Sequence, residues 1–305
     1  MAKVLVLGSS GMLGSALARF LSEENFEVFE SNRKGKAVVP GNRVIKFDVL
    51  SDDLEGLLNS VQGIDYCISA IGLIKQLIDE NDPNSSKMAY SINTLFPQHL
   101  NEMCSKMGIN VIQITTDCVF SGEEGDYFEN SPHDPNDLYG LSKSEGETSG
   151  PNVMNIRCSI IGNELDSNNS LLNWFLSHPM NSVVNGYVNH MWNGVTTFHF
   201  SKIVAGIIHQ SSFQEGSFHL VPGSVASKCA LLETFRIPFK RGDLQVRAID
   251  APIPINRTLK TIFPQVNSQL WQAAGYTTPP TIQEMVIEYA YWQNEISSSS
   301  HQALN

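Results

Sequence analysis

The sequence predicts an α/β protein: a Rossmann-type, doubly wound parallel sheet followed by a smaller C-terminal region. Apolar runs of strand length alternate with helical patterns over the first 160 residues, a glycine-rich turn joins the first strand to the first helix, and the alternation loosens afterwards. Strands that alternate with helices pair in parallel through crossover connections. We place the Rossmann-type domain at 1–160 and the second region mainly at 161–296, with segments near 185–210 as candidates to rejoin the first domain and a frayed tail at 297–305.

The predicted strands are continuous apolar runs, as expected for strands buried on both faces of a sheet. The first run, KVLVLG, is followed by glycines and then by a helix in which Leu13, Leu17 and Leu21 share one face. The six predicted strands are residues 3–8, 27–31, 43–49, 64–72, 109–117 and 152–159.

A long helix is predicted over residues 85–108, where apolar side chains recur at steps of three or four. Gly108 is expected to end this helix, and Pro97 predicts a kink or a local break inside it. Further helices are predicted at residues 137–147, 170–178, 199–211, 267–273 and 281–294.

The composition narrows the class of function. The 305-residue chain is 42% hydrophobic, so it can bury a core, and its net charge of −11 argues against a nucleic-acid surface but not against an anionic small ligand. The sequence shows no signal-peptide pattern and no apolar stretch near the roughly 18 residues of a membrane span, so we expect a cytoplasmic protein that binds no membrane. The cysteines show no CxxC pair or metal-ligand spacing, which predicts reduced thiols and no metal site: Cys67, Cys104, Cys118, Cys158 and Cys229.

The turn GSSGMLG has the spacing GxxGxxG. Gly8 lets the chain turn off the strand, Gly11 lets backbone N–H groups approach a phosphate, and Gly14 lets the helix lie close to the sheet. A helix N-terminus with unpaired N–H groups favours a pyrophosphate, so a dinucleotide is predicted, and a tight turn without a ligand is the alternative. The residues expected to bind the cofactor here are Gly8, Ser10, Gly11, Met12 and Leu13.

The segment after the second strand, ESNRKGK, bears on which nicotinamide cofactor binds. An acidic residue there would hold a ribose 2′-hydroxyl, whereas an arginine suits a 2′-phosphate. Asn32, Arg33 and the two lysines of this segment favour NADP(H), whereas Glu30 keeps NAD(H) open, and a solvated basic turn is the ordinary alternative. Asp48 and Val49, after the third strand, are expected at the adenine, where an ordinary surface aspartate is the alternative.

The stretch DLYGLSKSEGE, residues 137–147, places Tyr139 and Lys143 four residues apart. On a helix this spacing puts both side chains on one face, where an ammonium group would lower the pKa of a phenol. The pair alone is not specific, because a tyrosine and a lysine can simply share a helix face.

Together these motifs resemble the extended short-chain dehydrogenase/reductase superfamily, and within it most closely the dTDP-4-dehydrorhamnose reductase family. The resemblance covers most of residues 1–200 and rests on the glycine loop, SAIG at 69–72, YSINTLFPQHL at 90–100, TTDCVFSG at 115–122, DLYGLSKSEGE and NIRCSIIG at 155–162. WNGVTT at 192–197 and INRTLKTIF at 255–263 resemble later family motifs loosely, with Val195 where proline is usual.

The resemblance implies an enzyme in which Tyr139 protonates the reduced carbonyl oxygen, Lys143 assists it and bonds the nicotinamide ribose, and Thr116 holds the substrate carbonyl. It implies further cofactor contacts at Ala70, Ile71, Gly72 and Asn93. Substrate contacts are expected at Cys118, Arg157, Trp192 and Arg257.

Residues on the substrate side keep two interpretations each. Cys118 stands where GDP-fucose synthase, a related epimerase-reductase, has a cysteine that acts in epimerisation, but NELDSNNSLLNW holds no partner histidine, so a packing residue is the alternative. His190 and Trp192 can face a sugar or base, or pack a loop. Arg247 and Arg257 are candidates to bind a substrate diphosphate, although a lone arginine is usually a surface residue.

The expected function is NADPH-dependent reduction of a nucleotide-linked 4-keto-6-deoxy sugar, in the biosynthesis of deoxysugars or surface polysaccharides. The cofactor would be NADP(H) rather than NAD(H), the partner a nucleotide-sugar substrate, and a homodimer is left open. The alternatives are a nucleotide-sugar epimerase or dehydratase on the same fold, and an NADP-binding regulatory subunit without turnover. The intact Thr116, Tyr139 and Lys143 favour an enzyme.

Overall fold

The computed structural model describes the backbone of residues 1–302 and the side chains of residues 1–296. The frayed tail is expected at 297–305. Its side chains and the backbone of 303–305 lie outside the described residues. In chain order the strands are β1 (Lys3–Leu7), β2 (Glu27–Asn32), β3 (Arg43–Lys46), β4 (Tyr66–Ser69), β5 (Asn110–Thr115), β6 (Val153–Arg157), β7 (Ile160–Ile161), β8 (Val183–Tyr187), β9 (His190–Trp192), β10 (Val195–Thr196), β11 (Gly216–His219), β12 (Ala226–Ser227), β13 (Gln245–Ile249) and β14 (Ile255–Asn256). The helices are α1 (Met12–Glu23), α2 (Leu54–Asn59), α3 (Pro83–Tyr90), α4 (Phe96–Met107), α5 (Leu138–Gly146), α6 (Leu171–Leu176), α7 (Thr197–His209), α8 (Lys228–Arg236), α9 (Pro264–Ala273) and α10 (Ile282–Gln302).

A seven-stranded sheet forms the centre of the molecule, with the strand order β3-β2-β1-β4-β5-β6-β11. Every neighbouring pair in it is parallel. The chain order reverses between β1 and β4, and at such a switch point the connections diverge and leave a crevice at the carboxyl ends of the strands. The predicted Rossmann-type fold is therefore confirmed, and the crevice is where a ligand site is expected.

The side chains of β1 alternate between two hydrophobic layers, as strand geometry requires. Val4 and Val6 belong to a layer that includes α1 and α7, whereas Leu5 and Leu7 belong to a layer that includes α2 and α4. All four side chains are fully buried. The apolar run of β1 thus reflects burial on both faces of the sheet.

The helix predicted at residues 85–108 forms as consecutive helical segments. One π-helical turn, Ser91–Leu95, lies between α3 and α4, and α4 ends at Gly108, which has a left-handed φ of 68°. The irregular turn thus ends two residues before Pro97, which has no N–H to continue the regular hydrogen bonds.

Short elements after β6 form smaller sheets, with the orders β10-β7, β12-β9-β14 and β13-β8. β11 pairs with β6 and α7 packs against α1, so parts of the chain beyond residue 160 join the central layers. The division of the chain at residue 160 stays a prediction. The sequence does not predict α2, α8 or the strands after β6. In the part of the chain that the structure describes, no helix is both long enough and apolar enough to cross a membrane.

Candidate active site

The glycine-rich turn lies between β1 and α1, at the carboxyl edge of the sheet. Gly8 has a φ of 79°, and a Cβ on Gly14 would overlap the Gly8 carbonyl oxygen, so a larger residue at Gly14 is excluded. Gly11 caps α1 without a side-chain hydrogen bond, and the first turn of α1 carries no acidic residue. The N–H groups at this end of α1 suit an anion such as a pyrophosphate. The other cofactor contacts predicted in this turn lie beside Gly11 in the sequence: Ser10, Met12 and Leu13.

The residues predicted to bind the cofactor after β3 and β4 are Asp48, Val49, Ala70, Ile71 and Gly72. The end of β4 abuts the glycine turn, because a Cβ on Gly8 would lie 3.0 Å from Ile71 Cγ1 and 3.1 Å from the Ala70 carbonyl oxygen. Asp48 Oδ1 accepts the backbone N–H of Leu50 at 3.0 Å, which fixes the turn after β3. These segments line the same edge of the sheet as the glycine turn.

Glu30, which keeps NAD(H) open in the sequence, is engaged by the protein itself. Its side chain is fully buried, and its carboxylate accepts the backbone N–H groups of Val38 at 2.8 Å and Val39 at 3.0 Å. Asn42 Nδ2 donates a third hydrogen bond at 3.2 Å. The carboxylate therefore holds the chain after β2 and is not placed to hold a ribose hydroxyl.

Asn32 builds the turn that presents the basic residues. Its Nδ2 donates to Ser9 Oγ at 2.8 Å, and its Oδ1 accepts the backbone N–H of Lys34 at 3.1 Å. These bonds tie the basic turn to the glycine turn. Arg33 is exposed, and Lys34 forms an exposed ion pair with Asp166 at 2.5 Å. A cationic turn thus stands at the end of β2, beside the N-terminus of α1.

Asn93, predicted as a cofactor contact, serves the scaffold instead. Its side chain is 1% exposed. Its Oδ1 accepts the backbone N–H of Leu73 at 2.8 Å, and its Nδ2 donates to the Leu73 carbonyl at 3.0 Å and to Ser142 Oγ at 3.1 Å. These bonds use its donor and acceptor atoms, so Asn93 links the segment after β4 to α5.

The helix α5 carries the predicted acid, Tyr139. Asp137 caps this helix, since its Oδ1 accepts the Gly140 N–H at 2.8 Å while its Oδ2 pairs with Lys75 at 2.7 Å. A Cβ on Gly140 would overlap the carbonyl oxygen of Cys118. Only glycine allows this close approach, which brings Tyr139 next to the turn after β5.

Tyr139 and Thr116 meet at the carboxyl end of β5. The Thr116 hydroxyl interacts with the Tyr139 phenol and also accepts the Cys118 N–H at 3.2 Å. Burial raises the pKa of Tyr139 well above its ordinary value, and Cys118 and Asp117 raise this pKa further. The pKa is raised because removal of the phenol from water disfavours its charged form. Tyr139 therefore keeps its proton at neutral pH. The expected lowering of this pKa by Lys143 stays a prediction.

Lys143 lies one helical turn after Tyr139. Burial lowers the pKa of its ammonium group, and the Glu147 carboxylate raises it. Arg157, predicted as a substrate contact, is 2% exposed and forms an ion pair with Glu147. The prediction for Arg157 is therefore wrong: its guanidinium is enclosed by protein groups, among them His219 at 2.6 Å.

Cys118 is placed beside Tyr139 but is not activated. Burial raises the pKa of Cys118 to about 12, and the Asp117 carboxylate adds to this effect. The Cys118 thiol donates to Asp117 Oδ1 at 3.8 Å. Since the thiolate is the reactive form of cysteine, this environment favours the packing interpretation.

The sheet β12-β9-β14 contributes two cations to the site. Arg257 follows β14, and its Nε donates to the carbonyl oxygen of Phe120 at 2.7 Å. Lys228 follows β12, and burial lowers the pKa of its ammonium group. The nearby Cys118 raises this pKa, whereas the charge of Arg257 lowers it. In the register of the sheet, Ala226 lies opposite Trp192 and Asn256 lies opposite Met191. Lys228 and Arg257 lie close enough together for the charge of Arg257 to lower the pKa of Lys228.

The sequence missed Lys228, because it begins an ordinary helix and reaches the site only through the pairing of β12 with β9. Trp192 packs against the main core, and His190 Nε2 lies 3.1 Å from the Ile253 carbonyl oxygen, which favours the loop-packing interpretation. Arg247 is bound to Asn185 Oδ1 at 2.9 Å within the β13-β8 sheet.

Two curated relatives match about half of this chain. The spore coat polysaccharide biosynthesis protein SpsK of Bacillus subtilis (strain 168) is 29% identical over 149 residues, which cover 48% of this chain and 47% of that protein. The dTDP-4-dehydrorhamnose reductase of Streptomyces griseus is 28% identical over 144 residues, which cover 47% of this chain and 43% of that protein. The matched part thus spans about half the length of these curated relatives.

Solved structures share the whole fold. A dTDP-4-dehydrorhamnose reductase from Bacillus anthracis str. Ames, determined in complex with NADP, is similar with a TM-score of 0.72 at 17% identity, covering 95% of this chain and 99% of that chain. MoeE5, determined in complex with UDP-glucose and NAD, is similar with a TM-score of 0.71 at 17% identity, covering 96% and 99%. The family model described as the RmlD substrate binding domain matches residues 2–290. This match confirms the resemblance found in the sequence, and the chain belongs to the RmlD substrate binding domain family.

Proposed function

We propose that this protein is an NADPH-dependent reductase of a nucleotide-linked 4-keto-6-deoxy sugar, in the biosynthesis of deoxysugars or surface polysaccharides. One observation carries the proposal: a protonated Tyr139 lies beside Thr116 at the carboxyl edge of the sheet, with Lys143 one turn further along α5. The proposal is supported by the names of two similar proteins, a dTDP-4-dehydrorhamnose reductase that matches about half of the sequence and another that shares the fold. A homodimer stays a prediction, which sedimentation of the purified chain would test.

The residues at the glycine turn fit a phosphorylated dinucleotide. The N-terminus of α1 would hold the pyrophosphate, and Arg33 with its neighbouring lysines would hold a 2′-phosphate. NADPH, when bound, supplies the hydride for the reduction. The Lys143 ammonium would bond the nicotinamide ribose.

Tyr139 would act as the general acid on the carbonyl oxygen of the substrate. Its raised pKa keeps the phenol neutral until negative charge develops on that oxygen. Thr116 would donate a hydrogen bond to the same oxygen. Once the proton has moved, the resulting phenolate would be stabilised by Thr116 and by the positive charge of Lys143.

Lys228 and Arg257 would meet the anionic part of the substrate. Each is partly buried, and their like charges repel each other near Cys118. Two neighbouring cations at a crevice favour an anion between them, and a sugar nucleotide brings a diphosphate. In this proposal Lys228 takes the role for which the sequence offers Arg247 as a candidate, and Arg257 is kept.

The proposal is tested by NADPH oxidation against a panel of 4-keto-6-deoxy nucleotide sugars, for the wild type and Tyr139→Phe. The variant loses one oxygen and keeps the ring, so NADPH affinity should stay close to that of the wild type. Loss of the general acid should lower kcat by about 10²–10⁴. Wild-type turnover in Tyr139→Phe would remove Tyr139 from this role. Tight NADPH binding by a wild type that reduces none of these sugars would favour the regulatory subunit.

Epimerisation is the second candidate, and one observation favours it: Cys118 lies close enough to Lys228 to raise the pKa of its ammonium group, so a thiol and an amine lie at the same part of the site. Turnover in deuterated water distinguishes the two functions. Deuterium entering C3 or C5 of the sugar in the wild type, but not in Cys118→Ser, would place this protein among the epimerases. A product that carries no deuterium at C3 or at C5 supports the reductase.

A further inference from the structure

Arg157 is the last residue of β6, and its guanidinium reaches the end of α5. Its Nε donates to Glu147 Oε2 at 3.3 Å, and its Nη2 donates to Glu147 Oε1. Its Nη1 lies 2.6 Å from His219 Nε2, and its Nη2 lies 3.0 Å from His133 Nε2. The centre of the Phe120 ring lies 5.3 Å away. The guanidinium is thus enclosed by one carboxylate, two imidazoles and one aromatic ring.

The hydrogen bonds of the two imidazoles determine their tautomers. His219 Nδ1 lies 2.6 Å from the Lys260 carbonyl oxygen, which can only accept, so this nitrogen carries the proton. His133 Nδ1 lies 2.7 Å from Ser144 Oγ and can donate to it in the same way. Each Nε2 then accepts a hydrogen bond from Arg157, and both rings are neutral. This arrangement holds the guanidinium in one orientation, directed at Glu147.

Glu147 lies four residues after Lys143, directly behind the end of α5. Side chains at this spacing on a helix lie close together, and a lysine and a glutamate can pair. The Glu147 carboxylate is close enough to raise the pKa of Lys143. The same carboxylate is held by two donors of Arg157, one at each of its oxygens, which fixes its orientation.

We propose that Arg157 is a positioning residue that holds the Glu147 carboxylate and so keeps it from capturing the ammonium group of Lys143. Lys143 then stays free to bind the nicotinamide ribose and to act beside Tyr139. The inference rests on the proposed function, because it concerns the same lysine. It also replaces the predicted contact between Arg157 and the substrate.

The test compares Arg157→Met, Glu147→Gln and the double variant with the wild type, and uses Arg247→Met as the matched control. NADPH affinity is measured by calorimetry, and the pKa of Lys143 by NMR of ¹³C-methylated lysines, with the signal assigned through Lys143→Arg. In Arg157→Met the freed carboxylate should capture Lys143, raise its pKa and weaken NADPH binding roughly tenfold. The double variant has no carboxylate at this position, so its NADPH affinity should return to within roughly threefold of the wild type. Arg247→Met should match the wild type in both measurements.

A double variant that binds NADPH as weakly as Arg157→Met would overturn the inference, because the arginine would then serve the fold alone. Wild-type NADPH affinity in Arg157→Met would overturn it as well. If Arg157→Met does not fold, Glu147→Gln decides: the pKa of Lys143 must fall, and an unchanged pKa refutes the inference. The NMR titration needs no turnover, so a wild type that reduces no keto sugar refutes the proposed function without deciding this inference.

Discussion

His219 should make the folded protein lose stability in acid, and His219→Gln should reduce that loss. The imidazole is 1% exposed and lies between the Lys260 carbonyl oxygen and the guanidinium of Arg157. Burial, followed by the charge of Arg157, lowers the pKa of His219 from 6.5 to about 4. Glu129 and Glu147 also face this ring, and they oppose the lowering without cancelling it.

The sign of the effect follows from the direction of the shift in pKa. Between the two pKa values the unfolded chain binds more protons at this histidine than the folded chain does, so the free energy of unfolding falls as the pH falls. The contribution is fully present above a pH of about 6.5 and is lost as the pH approaches about 4. At about 1.4 kcal/mol per unit, the loss reaches roughly 3 kcal/mol.

The assay is urea unfolding, followed by circular dichroism, at a series of pH values between neutrality and about pH 4. A glutamine at position 219 can still accept from Arg157 and donate to the Lys260 carbonyl, so the folded contacts are largely kept. The variant should lose less stability than the wild type over this range, whereas His209→Gln, at an exposed histidine, should follow the wild type. An equally steep loss in His219→Gln and in the wild type would refute the reasoning.

Three other substitutions test the site. Gly140→Ala would drive a methyl group into the Cys118 carbonyl oxygen, so the free energy of unfolding in urea should fall by about 1–3 kcal/mol, and turnover should fall. Unchanged stability would mean that α5 does not approach the turn after β5 this closely. Arg33→Ala should weaken NADPH binding by upwards of about tenfold in calorimetry and leave NADH binding unchanged; a wild type that binds NADH as tightly as NADPH would contradict the choice of cofactor. Glu30→Gln should lower the free energy of unfolding by about 1–3 kcal/mol without changing NADH affinity; a stable variant with weakened NADH binding would make Glu30 a ribose contact.

The parts of the fold that the sequence predicts are those determined by neighbouring residues. The apolar run of β1 indicates burial on both faces, and Gly108 ends α4 because it adopts a left-handed φ. The short strands could not be predicted in this way. β14 is only two residues long, and it exists as a strand because Ile255 and Asn256 pair with His190 and Met191, which are remote in sequence.

The residues of the site divide in the same way. Local features position Thr116 and Tyr139: Thr116 lies at the end of a strand, and Tyr139 lies in a capped helix. The motifs assign Asn93 and Arg157 to ligands, because a motif shows that a residue matters but not which groups enclose it. The partners of Arg157 come from separate segments, so only the folded chain shows that its guanidinium is already engaged.

The hydrogen bonds of Glu30 support the NADP(H) that we propose as the cofactor. Each carboxylate oxygen of Glu30 already accepts a backbone N–H from the segment after β2, so binding a ribose hydroxyl would break bonds that hold this segment in place. The groups left to contact the 2′ position belong to the basic turn that starts at Arg33. Lys34 pairs there with Asp166, but both side chains are more than half exposed, and such a pair is weak enough for a phosphate to displace. In the sequence, Glu30 leaves NAD(H) possible. In the folded chain, Glu30 instead supports a turn that suits the 2′-phosphate of NADPH.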